Sequence, residues 1–216
     1  GVNGKVLKTS IVAPEGHVLI DCDSSQIEAR VLAWLAGQDD LVQAFADKED
    51  VYIKMAARIY DIPEGEVTGE QRFVGKTTIL GAGYGMGSVR FAEQLKSFGT
   101  TMAPAEAQRV VQIYRDANWK IAQLWRSSQH MLVAMSRGDD FTYGVNDIVR
   151  CVTRNGTAGI KLPSGLWMKY TDLQFEQGAR GPEFSYRTRR GRTRIYGGKV
   201  VENVCQAIAR CIMGEQ

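Results

Sequence analysis

The sequence predicts an α+β fold in which a β-rich unit is interrupted by a long helical insertion. Three observations carry that prediction. A short apolar run, GHVLIDCD (16–23), follows Pro14 and reads as a buried strand that ends in carboxylates. From residue 25 to 138 apolar residues recur at helical spacing, with cap residues at the ends of the runs. From about residue 140 the texture changes to short β-type runs broken by Gly, Pro and Asn, and a helical pattern returns at 199–213.

Taken in order, SQIEARVLAWLAG (25–37) is a helix with Gly37 placed as its C-terminal cap. DDLVQAFA (39–46) and EDVYIKMAARIYD (49–61) are helices led by acids, which suit the positive end of the helix dipole. Thr68 to Gln71 is a T-x-x-Q capping box, so a helix starts there and frays where the glycines begin near residue 81. SVRFAEQLKSFG (88–99) follows, and 104–138 reads as one long helix with Pro104 in its first turn. FTYG (141–144), IVRCVTRN (148–155), GIKLP (159–163), LWMKYTDLQF (166–175) and FSYRT (184–188) are the short strands of an antiparallel meander. KVVENVCQAIARCIM (199–213) closes the chain with a helix. No internal repeat or low-complexity linker divides the chain.

Composition narrows the function classes. Hydrophobic residues make up 44% of the chain, as in a globular protein with a core. There is no leader-type segment at the start and no apolar run long enough to span a bilayer, so no membrane partner is expected. Cys22, Cys151, Cys205 and Cys211 contain no C-x-x-C pair, and His17 and His130 stand far from them, which argues against a zinc site or a disulfide framework and for a reducing, cytoplasmic setting. The net charge of +3 is unevenly spread. Arg187, Arg189, Arg190, Arg192, Arg194 and Lys199 fall in one run that contains no acid, a footprint for a phosphate backbone or else a solvated hairpin tip.

The stretch GEQRFVGKTTILGAGYGMG (69–87) looks built for phosphates. It misses the Walker A pattern, because five residues separate Gly69 from Gly75-Lys76-Thr77 where that loop has four, and no strand precedes it. It reads better as a helix on which Arg72, Lys76, Leu80 and Tyr84 recur every four residues along one face. Two cations followed by an aromatic suit a triphosphate and a base or sugar; an ordinary solvated helix face is the plain alternative.

DSSQIEAR (23–30) resembles motif A of the family A, DNA polymerase I-like, DNA polymerases, and RFVGKTTILGAGYG (72–85) resembles their motif B, R-x3-K-x7-Y-G. The likeness extends in order through ARVLAWLAG, as in phage members, LPSG (162–165) and ENVCQAIAR (202–210). It implies a partial palm at 1–43 and 139–216, an antiparallel meander with helices, interrupted by helical fingers at 44–138. It further implies template-directed addition of deoxynucleoside triphosphates to a primer in primer-template DNA, with Mg²⁺ as cofactor. On this resemblance Asp23 and the carbonyl of Ser24 hold metal, with Asp21 sharing the Asp23 face. Arg72 and Lys76 act on the triphosphate. Glu28 gates the sugar, Leu80 and Tyr84 meet the nucleotide, and Ser24, Ser25 and Gln26 belong to the same motif A surface. Asn203 and Gln206 reach the DNA minor groove.

Departures from the family pattern qualify that expectation. Leu80 stands where many members have Phe or Tyr, Tyr52 where bacterial members have His, and Cys211 where an acid often follows AIAR. No His-Asp-Glu counterpart of motif C occurs, and the thumb is also missing, so the sequence reads as an inactive polymerase fragment. Two other readings stay open: a non-catalytic nucleic-acid-binding module, favoured by the basic run, and a P-loop NTPase, suggested by Gly-Lys-Thr alone.

Overall fold

The computed structural model describes residues 4–178 and 181–215. A short helix α1 (Gly4–Thr9) precedes an extended segment that reaches α2 (Ile27–Ala36). The helices α3 (Asp39–Ala46), α4 (Val51–Tyr60), α5 (Gly69–Ala82), α6 (Ser88–Ser97), α7 (Pro104–Ala117) and α8 (Trp119–Arg137) follow. Then come the strands β1 (Thr142–Tyr143), β2 (Val149–Arg154), β3 (Thr157–Lys161), β4 (Trp167–Tyr170), β5 (Gln174–Gly178), β6 (Gly181–Thr188) and β7 (Gly191–Ile195). The nineteen-residue helix α9 (Gly197–Glu215) ends the described chain. The fold is α+β.

Local sequence accounts for most helix ends. Gly37 sits in the left-handed region at φ 65° and caps α2 with its amide on the Ala33 and Trp34 carbonyls. Asp50 caps α4 by accepting from the Tyr52 and Ile53 amides at 3.0 and 3.1 Å. The Thr68–Gln71 capping box forms at the start of α5, with both reciprocal hydrogen bonds present.

Two expectations are corrected. Residues 16–23 form no strand: Val18 and Ile20 are 83% and 78% exposed. A strand is held by its ladder partners, and both described sheets complete their pairing without this segment. The single long helix over 104–138 breaks at Asn118, whose Nδ2 donates to the Tyr114 carbonyl at 3.0 Å. That buried amide competes with the backbone for its own helix, a usual habit of Asn. The antiparallel meander expected after residue 140 is present and runs through two sheets, β1–β4 and β5–β7.

Two apolar clusters form the core, and α2 serves both. Its Val31, Leu32 and Leu35 pack with α8, the β1–β4 sheet and α9, while Ala29 and Ala33 pack with α3 to α7. Both clusters are thereby tied to the helix that follows Asp23. Within the second cluster α5 lies so close to α4 that a Cβ on Gly75 would fall 2.2 Å from the Tyr52 carbonyl oxygen.

Candidate functional site

Of the four residues expected on one helix face, Arg72, Lys76 and Leu80 lie on α5, and Tyr84 falls two residues past its end at Ala82. Lys76 and Leu80 are exposed, whereas Arg72 and Tyr84 are half-buried. At the first end, Arg72 Nε donates to Asp50 Oδ2 at 2.8 Å. Its guanidinium carbon lies 5.4 Å from the Tyr52 ring centroid, and Lys76 Nζ lies 6.0 Å from the same ring. Two cations one turn apart therefore share one aromatic face, which orients their heads without neutralising them.

At the other end, the Tyr84 phenol is pushed well above its ordinary pKa, by burial first and then by the charges of Cys205, Glu28, Tyr114 and Glu202. Tyr84 is a neutral hydroxyl at every physiological pH. Glu28, in the first turn of α2, is one of the acids whose charge raises the Tyr84 phenol. The loop after α5 is fixed by Trp125 Nε1, which donates to the Gly83 carbonyl at 2.8 Å. A Cβ on Gly198 would fall 2.3 Å from the Tyr84 carbonyl oxygen, so α9 presses its first turn directly on this loop.

The Gly-Lys-Thr signal of a phosphate loop is overturned by these surroundings. Gly75 serves the contact between α4 and α5. Thr77 and Thr78 are buried and donate to the Phe73 and Val74 carbonyls at 3.0 and 2.8 Å. Neither hydroxyl is available to a phosphate or a metal.

Asp21 and Asp23 are exposed in the extended segment before α2. Ser24 accepts through its carbonyl from the Ile27 amide at 3.2 Å, and Arg30 Nε donates to the Ser25 carbonyl at 2.9 Å. Gln26 adopts the left-handed conformation, φ 57°, at the helix start. The turn 24–26 is thus anchored to α2. Among the described residues no three His, Cys, Asp or Glu side chains converge as a metal site.

The expected DNA contacts are placed unequally. Gln206 is exposed on α9, while Asn203 Nδ2 donates to the Tyr170 hydroxyl at 3.3 Å. Burial pushes the Tyr170 phenol up to about 12 despite that bond. The basic run folds as the β6–β7 hairpin, and the idea of six uncompensated cations is corrected. Arg187 and Arg192 both pair with Asp172, Arg194 with Glu183 at 3.3 Å, and Lys199 with Glu202 at 2.7 Å. The register sets Arg187 opposite Arg192, and Asp172, in the turn before β5, pairs with both. Arg189 and Arg190, at the tip, have no ion pair among the described residues.

Asp50, Tyr52 and Trp125 were not among the sequence-derived site residues. The first signalled only a helix cap, and its reach to Arg72 across 22 positions has no local signature.

Comparison with known proteins decides the family. The sequence pattern of the family described as DNA polymerase family A matches residues 2–134, well over half of the chain. This chain belongs to DNA polymerase family A. The family A chain is 30% identical over 97% of its length to the DNA polymerase of Bacillus phage SP02, of which it covers 33%. It is 38% identical over 43% of its length to DNA polymerase I of Pseudomonas aeruginosa, covering 10% of that protein. Among solved structures it is similar to the POL domain of Pol1 from M. smegmatis in complex with DNA primer-template and dNTP, with 30% identity, a TM-score of 0.45, and coverage of 56% of this chain and 20% of that one. The chain spans a third or less of the length of these relatives. Among the described residues of this family A chain, no helix is long and apolar enough to cross a membrane.

Proposed function

We propose that this chain supplies the nucleotide-binding helix and one part of the metal site for template-directed DNA synthesis, in which a deoxynucleoside triphosphate is joined to a primer 3′-hydroxyl. The observation that carries the reading is the α5 face, with Arg72 and Lys76 oriented on Tyr52. Family membership supports it.

In this reading Lys76 and Arg72 bind the triphosphate oxygens as fixed cations placed where charge develops during phosphoryl transfer. Arg72 exchanges its Asp50 carboxylate for phosphate, and Lys76, exposed and without an ion pair among the described residues, meets phosphate directly. Tyr84 packs on the nucleotide, and Glu28 closes the space at the 2′ position against a ribose. The carboxylate oxygens of Asp21 and Asp23 and the Ser24 carbonyl are hard donors that suit Mg²⁺, which commonly takes one or two carboxylates and completes its shell with phosphates and water. Asp21, Asp23 and the Ser24 carbonyl would hold the ion there, and it would supply neutralisation of phosphate charge and activation of the primer hydroxyl. A single exposed carboxylate pair is half of a two-metal clamp, so we assign residues 1–216 alone nucleotide binding without templated extension.

The test uses the chain of 216 residues with dATP and Mg²⁺. Lys76→Ala weakens nucleotide binding about tenfold, as expected for one charge-assisted contact; equal affinity of variant and parent refutes the assignment. In a primer-template assay, extension well above that of an Asp23→Ala control would show a second set of metal ligands within the chain. A purely DNA-binding role is favoured by the unpaired Arg189 and Arg190 at the hairpin tip, and it predicts no specific nucleotide affinity at all.

A further inference from the structure

The outer face of the β1–β4 sheet carries only positive charge. Arg150 stands opposite Lys161 and Lys161 opposite Trp167, while Arg154 and Lys169 follow at even spacing on β2 and β4. These side chains therefore share the face turned away from the buried Cys151 and Ile160. The strands β1 to β4 contain no acid. Arg150 meets Asp140 at 3.8 Å, whereas Arg154, Lys161 and Lys169 have no ion pair among the described residues. Trp167 gathers two of these charges: the Arg154 guanidinium carbon and Lys169 Nζ each stand 5.3 Å from its ring centroid. The indole lies across Gly159, where a Cβ would fall 2.2 Å from its Nε1. With backbone on one side and two cations at the ring, the half-buried indole is no platform on which a base stacks. It holds cationic heads in place, an arrangement that suits carboxylates. The strand β4 is also the last of its sheet, and no backbone hydrogen bond from residues 167–169 to a further strand forms among the described residues.

We propose that this face docks an acidic, extended segment of a partner protein, which adds as a strand to the β4 edge and sets carboxylates against Lys169, Arg154 and Lys161. Strand addition completes the ladder that β4 leaves open, and main-chain hydrogen bonds then supply affinity while alternate side chains supply specificity. A strand turns every second side chain to one face, so acids at alternate positions all meet the basic side. Cross-strand neighbours lie about 5 Å apart, which brings a carboxylate beside Trp167 or Lys169 within reach of the gathered cations. A DNA strand has no peptide N–H to offer this edge. The nucleotide site proposed above uses none of these strands.

The experiment measures, by anisotropy, binding of a fluorescein-labelled decapeptide of alternating Glu and Thr to the chain of 216 residues. The peptide binds at low salt and is released as salt rises, because exposed charges are screened. Lys169→Gln and Arg154→Gln each weaken it about two- to fivefold, the range of an exposed ion pair. Both side chains are exposed, so the variants keep the fold, as judged by circular dichroism. Bound peptide slows amide hydrogen exchange in β4. A parent that binds no such peptide, equal affinity for a decapeptide of alternating Gln and Thr, or β4 exchange that the peptide leaves unchanged overturns the proposal. A single-stranded DNA dodecamer is the comparison: variants that lower its affinity less than that of the peptide support a protein partner. If they weaken it as much as the peptide, the face is a nucleic-acid surface and the partner assignment fails.

Discussion

Arg72 and Asp50 form one ion pair, Nε to Oδ2 at 2.8 Å, in which the acid also caps α4. Burial alone would raise the Asp50 carboxyl. The Arg72 hydrogen bond, the Ile53 amide, the Arg72 charge and the Tyr52 amide together outweigh it and hold the group below its ordinary value. A depressed folded value means that the stabilisation is present above the unfolded pKa, about 4, and is lost as pH falls through the folded one. Asp50→Asn keeps an acceptor at the cap but removes the charge. It should leave stability at neutral pH within about 1 kcal/mol, flatten the acid limb of the stability curve, and tighten triphosphate binding by freeing Arg72. An acid limb identical to the parent's, followed by denaturation between about pH 2 and pH 6, would show that the pair contributes nothing.

Gly75→Ala separates the packing role of this glycine from a phosphate-loop role. Its new Cβ would meet the Tyr52 carbonyl oxygen at 2.2 Å, and backbone cannot turn aside as a flexible side chain can. Forcing α4 from α5 should cost about 1–3 kcal/mol, the usual range for overpacking. Thermal unfolding reads this directly, and an unchanged midpoint would mean that the two helices part at no cost.

Arg190 and Arg192 should differ in kind. Arg192 bonds Asp172 and Ser185, so Arg192→Ala loosens the hairpin and changes DNA affinity little. Arg190, at the turn, should lower DNA affinity when replaced by Ala and reduce the salt slope by about 0.9 for each duplex phosphate that it neutralises. Reversed effects in a duplex-binding titration would mean that the Asp172 pairs break when DNA binds.

Glu28→Ala should narrow the preference for deoxy- over ribonucleoside triphosphates, by roughly tenfold or more, because a site that excludes by bulk loses selectivity when the bulk is removed. Competitive titration of dATP against ATP on the 216-residue chain measures this. Equal ratios for variant and parent would detach Glu28 from the sugar, leaving its charge to act on Tyr84 and Cys205.

Sequence by itself determined the family, through motif spacing, and the helices that carry their own end signals: Gly37 behind α2, the Thr68–Gln71 box before α5, Pro104 opening α7. It also placed Arg72, Lys76 and Leu80 on one helix, because helical periodicity is a local property, whereas Tyr84 falls past the helix end. Tertiary structure alone decided what that face meets. Whether 16–23 pairs as a strand depends on a ladder partner that local pattern cannot supply, and the run that looked ready to be buried is exposed. Whether the arginines of 187–194 are free depends on Asp172 and Glu183, which the fold brings to Arg187, Arg192 and Arg194. Short-range hydrogen bonding and side-chain period are written along the chain, whereas charge pairing and burial depend on distances that only the folded chain sets.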